Sequence, residues 1–518
     1  MSSQPPGAGE ALALFRVLPD DHDALALYAA LGDRGRRADT MLFERSTGPS
    51  LLLDRAAVRA ECRGQEAVLS ALSENGRNVL ATVAERLADH LIEQRADRLL
   101  LRFPVPAAVD AAERLAAASP FDAIRALTLG LEVSDAEPFA LCSPGVIAYD
   151  HIDLFETLPA PAEDPLAYPD FVFWLAESLV VFEPGARPRA VCTAFGSADP
   201  DAATRSYFGA QQRLADLVTR CRQAPDFAFA PPAPGEPDFS LVDLDDPAYE
   251  ALVARMKGHI ADGDVYQIVP SRTFRSPCRA PLNAYAAIRA LDRGPYQFFV
   301  SGGDHILFGA SPETSVRVFR DGGATQVEVK PIAGTRPRGL TPDEDDRLEA
   351  EMRLDHKELA EHMMLVDLAR NDVARISIPG TRRVAGLMTV ERYARVMHLV
   401  SSVTGTLRGT FDNIHALQAC LNVGTLTGAP KIRATELLRG AERTKRGPYG
   451  GAVGWVNGEG MMDTAVVIRS AVVKDGTAFV RAGAGVVHDS DPRAEADETK
   501  RKASALLSVL AGAEAAVA

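Results

Sequence analysis

Three glycine-marked turns between β-forming runs constrain this chain more than any other feature. Gly302-Gly303-Asp304 stands within Phe298 to Pro312, Asp321-Gly322-Gly323 within Ser315 to Pro331, and Lys474-Asp475-Gly476 within Ala465 to Val487. Asp-Gly and Gly-Gly supply the positive φ that tight hairpins require. Hairpins join antiparallel strands, whereas parallel strands need long crossovers. Helical segments lie around them, at 248–261, 347–371, 414–420 and 429–440. The pattern predicts an α+β protein with large antiparallel sheets, not a doubly wound parallel sheet.

The first half reads as strands at 51–54, 57–61, 145–149 and 171–182, the last interrupted near Ala176-Glu177-Ser178, with a helix at 79–91. The proline-rich stretch from Ala224 to Asp238 forbids regular structure. It divides the chain into a first region at 1–223, a linker at 224–240 and a second region at 241–518. From Ala503 a closing amphipathic helix is expected.

A formal net charge of -14 argues against nucleic acid or an anionic membrane as the main partner. An anionic substrate would need a local metal or arginines. The six cysteines form no C-x-x-C pair, so neither zinc nor a disulfide framework is indicated, and a reducing cytoplasm is expected. The start shows no basic segment followed by an apolar run, and no stretch is apolar enough to span a bilayer.

Two glutamate pairs share one spacing: Glu358 and Glu361, then Glu495 and Glu498. Three residues apart on a helix, each pair projects two carboxylates from one face. Two such helices can hold a hard cation such as Mg²⁺. One such helix alone reads equally as a solvated, ion-paired surface; the second pair shifts the balance. It follows Ser490-Asp491-Pro492, a helix start, and precedes Lys502, placed to neutralise the cluster or meet a substrate carboxylate. Ala482-Gly483-Ala484-Gly485 lets backbone N–H groups approach an anion, or packs where only small residues fit. Arg469, in a strand spanning 466–471, is either a carboxylate clamp or a structural salt bridge. His398 is a candidate base or a satisfied core histidine. Gly424 to Lys431 lacks Walker spacing, which excludes a phosphate loop. These residues alone reach a cytoplasmic Mg²⁺ enzyme acting on a small polycarboxylate.

Gly263-Asp-Val-Tyr-Gln267, Phe308-Gly-Ala-Ser-Pro-Glu313, Pro331-Ile-Ala-Gly-Thr335, Asp355-His-Lys-Glu358 and Ala496-Asp-Glu-Thr-Lys500 resemble the chorismate-utilising enzymes, most closely the large subunit of two-subunit anthranilate synthases. The resemblance runs from about Leu12 to Leu510, and it implies an α/β sandwich of two large antiparallel sheets packed together with helices outside. It implies a Mg²⁺-dependent conversion of chorismate and ammonia to anthranilate and pyruvate. Gln267 stands where water-activating relatives carry lysine, and Ala333 where others place a lysine nucleophile. By the same resemblance Glu358, Glu361, Glu495 and Glu498 surround the metal. Gly334, Thr335, Tyr449, Arg469, Gly483, Ala484, Gly485 and Lys502 meet substrate. Glu313 is the acid for the departing 4-hydroxyl, His398 assists pyruvate elimination, and Gln267 and Thr425 complete the catalytic set. No glutaminase signature is present, so the resemblance implies a separate glutamine amidotransferase subunit, in a heterotetramer.

In the family the first region binds inhibitory tryptophan. Here Glu44, Arg45, Ser50, Pro295, Tyr296 and Gln297 occupy that site in altered form, with arginine where serine is expected, which predicts weak or absent feedback. Two rivals stand beside this reading: an enzyme stopping at 2-amino-2-deoxyisochorismate, and a catalytically silent binding subunit.

Overall fold

The computed structural model describes residues 4–106, 110–133, 137–160, 163–224, 231–292, 294–393 and 396–515. Part of the expected linker, 225–230, lies outside the described residues. Among the described residues, 22 strands join in one pairing network. Its ladders are antiparallel except for one short parallel contact between Glu10–Val17 and Glu132–Val133. The three hairpins form where the turns predict. Tyr296–Ser301 pairs with Ile306–Ser311, Thr314–Asp321 with Ala324–Val329, and Ser470–Lys474 with Thr477–Gly483. The last two turn through consecutive residues of positive φ, Gly322 and Gly323, then Asp475 and Gly476, the backbone that matches strand twist.

Strands from both halves of the chain interleave. Thr40–Arg45 pairs with Tyr296–Ser301, and Cys142–Ile147 with Ala452–Asn457. The network closes on an interior built almost wholly of strand side chains, among them Phe43, Trp174, Tyr296, Phe298 and Val453. Each such side chain, fully buried, contributes about 1.5–3 kcal/mol. Helices cover the outer faces: Pro200–Gln223, Pro281–Leu291 and Pro492–Ala515 on one, His356–Ile376 and Asn413–Cys420 on another.

Four local expectations change. The two strands read at 51–61 are one, Ser50–Arg63. Its partner Phe171–Phe182 is continuous, and the interruption at Ala176-Glu177-Ser178 is a register shift, since Ser178 opposes Arg55 and Ala176 opposes Ala56. The helix expected at 79–91 starts earlier, as Glu74–Arg86 capped by Ser73, and gives way to a strand at Leu91. The helix expected at 347–371 breaks at Asp355 into Pro342–Leu354 and His356–Ile376. Asp355 is extended, and its carboxylate accepts from the Glu358 amide (3.2 Å), restarting the helix at the first carboxylate pair.

The second carboxylate helix is anchored by Arg272, whose side chain is wholly buried. Its guanidinium donates to Thr499 Oγ1 (2.8 Å), the Ala496 carbonyl (2.9 Å), the Leu244 carbonyl (3.0 Å) and Asp246 Oδ1 (2.9 Å), and it stacks on Tyr249. Ala496 lies between Glu495 and Glu498, so one cation fixes the turn that presents both. Removing one partner of a buried, hydrogen-bonded charge typically costs about 3–5 kcal/mol. Arg272→Ala is therefore expected to lower stability by about that amount in denaturant unfolding. A loss under about 1 kcal/mol would show the anchor to be dispensable.

Candidate active site

The carboxylate helices, the Gln267–Ile268 strand, the Val396–Thr406 strand and the loop around Thr425 bring the sequence candidates together. Glu361 Oε1 accepts from Gln267 Nε2 (3.0 Å). A Cβ on Gly485 would stand 2.8 Å from that nitrogen and 3.5 Å from Glu361 Oε1, so a larger residue there would displace the Gln267 amide. Gly334 has φ +69°, and a Cβ on it would lie 3.4 Å from Glu358 Oε2. Glu358 pairs with Arg336 (3.1 Å), which also holds Asp355 (3.0 Å). On the second helix Glu495 is buried, while Glu498 pairs with Lys502 (2.7 Å). The Lys502 ammonium also donates to the Gly483 carbonyl (3.0 Å). Asp491 caps this helix by accepting from the Ala494 amide (2.8 Å).

Among the described residues, no three His, Cys, Asp or Glu side chains are gathered closely enough to hold a metal. The donor set is nonetheless all carboxylate oxygen, the chemistry a hard divalent cation takes. Arg336, Gln267 and Lys502 meet those oxygens instead.

Glu313 is buried and its titration is strongly displaced. Burial pushes its carboxyl up to about 7, against a smaller lowering by the Thr425 hydroxyl and Lys502. Thr425 Oγ1 donates to Glu313 Oε1 (2.8 Å). A carboxylic acid half-protonated near neutrality is suited to protonating a leaving oxygen. His398, on the strand that pairs through Thr335, has Nδ1 3.2 Å from the Gly334 carbonyl. That contact makes Nε2 the basic nitrogen. Burial holds the ring below the ordinary histidine value, partly offset by this hydrogen bond, so it is neutral near pH 7 and able to take a proton. The Thr335 side chain lies outside the described residues.

Arg469 departs from expectation. It sits not inside a strand but in the break between Met462–Val466 and Ser470–Lys474, at φ +49°. It is half-buried, has no carboxylate partner among the described residues, and contributes to holding His398 down. Tyr449 is buried, with its hydroxyl beside Gly483. The Ala484 amide already donates to the Pro270 carbonyl (3.2 Å), so this N–H serves the backbone.

The residues that place the Thr425 loop escape sequence reading. Arg446 donates to the Leu426 carbonyl (2.6 Å), the Val269 carbonyl (2.7 Å) and Glu442, and lies over the Tyr149 ring. Glu442 also accepts from Ser271 and Arg481. In sequence, Glu442 and Arg446 read as an exposed i,i+4 pair; only their burial reveals a clamp between the Gln267 segment and the Thr425 loop. Arg336 was equally hidden, because its partners Asp355 and Glu358 lie far along the chain.

The altered tryptophan-type residues also meet. Arg45 points inward, pairs with Asp463 (2.7 Å) at 10% and 4% side-chain exposure, and lies over Tyr296. Tyr296 donates to Asp463 (2.9 Å), Glu44 holds Arg289 and Tyr285, and Ser50 Oγ accepts from the Arg45 amide. Gln297 donates to the Arg289 and Asp292 carbonyls, and the Pro295 carbonyl accepts from Ser46.

Carboxylates carried by two helices thus meet Gln267, Arg336 and Lys502 beside antiparallel strands, the setting of a lyase or transferase acting on a small polyanion. Chorismate binding enzymes match residues 80–508 of the chain. Anthranilate synthase component 1 from Vibrio cholerae is 44% identical over 96% of both chains. The pyocyanine-specific anthranilate synthase component 1 of Pseudomonas aeruginosa is 44% identical over 98% of this chain and 94% of its own. Among solved structures, anthranilate synthase component I from Streptococcus pneumoniae superposes with a TM-score of 0.68 at 28% identity, covering 90% of this chain and 93% of its own. The menaquinone-specific isochorismate synthase of Escherichia coli shares the fold alone, at TM-score 0.68 and 17% identity over 98% and 96%. The chain belongs to the chorismate binding enzymes, on their anthranilate synthase component 1 branch. Among the described residues no helix is long and apolar enough to cross a membrane.

Because the Thr425 hydroxyl favours the ionised form of Glu313, Thr425→Val raises that carboxyl further. The alkaline limb of the kcat/KM profile, measured at constant free ammonia, is then expected to move above about 7. The loss of a hydrogen bond to a charged group lowers kcat/KM by about tenfold to a hundredfold. An unmoved limb would separate Thr425 from the acid.

Proposed function

We propose that the chain adds ammonia to chorismate and eliminates pyruvate to give anthranilate, with ammonia supplied by a separate glutaminase subunit. The observation that carries this reading is Glu313, buried, near-neutral in its titration, held by Thr425 and lowered from nearby by Lys502, the partner of Glu498. Glu361 and Glu498, with Glu358 and Glu495 beside them, would hold Mg²⁺. When bound, that ion would neutralise and orient the ring carboxylate.

Arg469 would clamp the enolpyruvyl carboxylate, with Tyr449 and the Gly483–Gly485 turn along the ring. Ammonia bonds to C2, the ring π electrons shift, and the C4–O bond breaks, with Glu313 protonating the oxygen that leaves as water. The added nitrogen loses a proton. His398 then takes the C2 proton, whose electron pair restores the aromatic ring as the C3–O bond breaks. The leaving enolpyruvate gains a proton to become pyruvate. Gln267 lacks a basic nitrogen, which favours ammonia over water as the nucleophile.

Arg45 fills the space beside Tyr296 and Asp463, so tryptophan inhibition is expected to be weak or absent. The two relatives above are equally similar to the chain, and the regulatory reading rests on Arg45 alone.

Purified chain with chorismate, Mg²⁺ and an ammonium salt is expected to yield anthranilate and pyruvate in equal amounts, and glutamine is not expected to replace the salt. A non-aromatic amino product without pyruvate would overturn the lyase assignment. Tryptophan should leave this rate unchanged, and Arg45→Ser should increase tryptophan binding in calorimetry. Micromolar inhibition of the parent would refute the filled-site account.

A further inference from the structure

The strand Thr314–Asp321 is irregular where it leaves Glu313. Against Met462–Val466 its register shifts between Thr314, which opposes Ala465, and Arg317, which opposes Asp463. One extra residue in a strand bends it and re-aims the side chains beside it. Glu313 stands just before this bulge, and its carbonyl accepts from the Val466 amide (3.0 Å). Thr464 closes the middle, since its hydroxyl donates to the Val316 carbonyl (2.8 Å) and accepts from the Val316 amide (3.1 Å).

One buried carboxylate, Asp463, ties both flanks of the bulge together. Its Oδ1 accepts from the Tyr296 hydroxyl (2.9 Å), which lies 3.0 Å from Thr314 Oγ1. Tyrosine has a single O–H, so with that hydrogen on Asp463 its oxygen accepts from Thr314. Asp463 Oδ2 pairs with Arg45 (2.7 Å) and stands 3.6 Å from the Arg317 guanidinium on the other flank. Arg317 in turn holds Glu328 (2.8 Å), which accepts from Ser402 (2.6 Å) on the strand that carries His398. Burial pushes the Asp463 carboxyl up, and Arg45 opposes this more than Arg317 does. Without Arg45 the ionised form loses its strongest support. A neutral Asp463 would release Arg317 and offer a proton, not a lone pair, to Tyr296.

We propose that Arg45, acting through Asp463 and Tyr296, is a positioning residue for Glu313: the side chain that fills the altered tryptophan-type site also holds the strand behind the catalytic acid in its working register. The proposal rests on the reading of Glu313 as the acid for the departing 4-hydroxyl. It goes beyond a filled effector site, because it gives Arg45 a part in turnover in the absence of tryptophan. The relay reaches Glu313 through the main chain and meets none of the residues assigned to substrate binding. Its loss should therefore appear in kcat and not in the KM for chorismate.

The test uses the full chain with Mg²⁺, saturating ammonium chloride and varied chorismate. Arg45→Ala is expected to lower kcat about tenfold while the KM for chorismate stays within about twofold of the parent. Only one guanidinium nitrogen meets Asp463, so Arg45→Lys is expected to restore kcat to within about threefold of the parent. Tyr296→Phe breaks the same relay at nearly constant volume. It is expected to lower kcat about fivefold, and carries the test alone should Arg45→Ala fail to fold. In the double variant kcat should fall no further than in Arg45→Ala, where independent effects would multiply. Parental kcat in Tyr296→Phe, losses that multiply, or a KM that rises in step with the fall in kcat would overturn the relay while leaving the reaction standing. No anthranilate from the parent would overturn the reaction and the relay together.

Discussion

The site depends on one buried ion cluster, Glu442 with Arg446 and Arg481. These three charges lie at 8%, 3% and 7% exposure, where an unpaired charge is prohibitively costly. Each is satisfied: Glu442 accepts from both arginines and from Ser271, and the arginines donate onward to backbone carbonyls. The cluster therefore fixes backbone rather than side chains alone. Through Val269 it sets the segment that presents Gln267 to Glu361, and through Leu426 the loop that presents Thr425 to Glu313. Whether buried ion pairs stabilise a fold relative to apolar replacements depends on context. Here the pair's evident effect is to define position.

Around that anchor the cleft separates its tasks by environment. Glu313, buried beside a hydroxyl, is held near its neutral form, whereas Glu358 and Glu498 stand beside cations in more open surroundings. The same side-chain type is thus held near its neutral form in one place and paired with a cation in another. His398 completes the division, since burial keeps it neutral and the Gly334 carbonyl orients it. Arg336 and Lys502 pair with the glutamates proposed above as metal ligands, Glu358 and Glu498.

The fold was legible in sequence wherever a local rule governs it. Gly322-Gly323 and Asp475-Gly476 announce hairpins because few other residues take successive positive φ. The paired glutamates announced themselves by helical spacing. What escaped reading was set by distant packing. Asp355 breaks a helix that periodicity alone would continue, and the register shift at Ala176 reads in sequence as an interruption of the strand. Arg469 reads as a strand residue because its neighbours are apolar, although the backbone turns at that position. The family resemblance supplied residue roles that spacing does not, and the inward course of Arg45 required the Asp463 partner, 418 positions away in sequence, to be seen beside it.

The most direct test of the account is anomalous diffraction from crystals of the chain soaked with manganese and chorismate. The account predicts one metal peak between the two carboxylate helices, ligated by Glu361 and Glu498 and touching the substrate's ring carboxylate. Chorismate bound in the cleft with no metal at those glutamates, or with the metal held elsewhere, would contradict it.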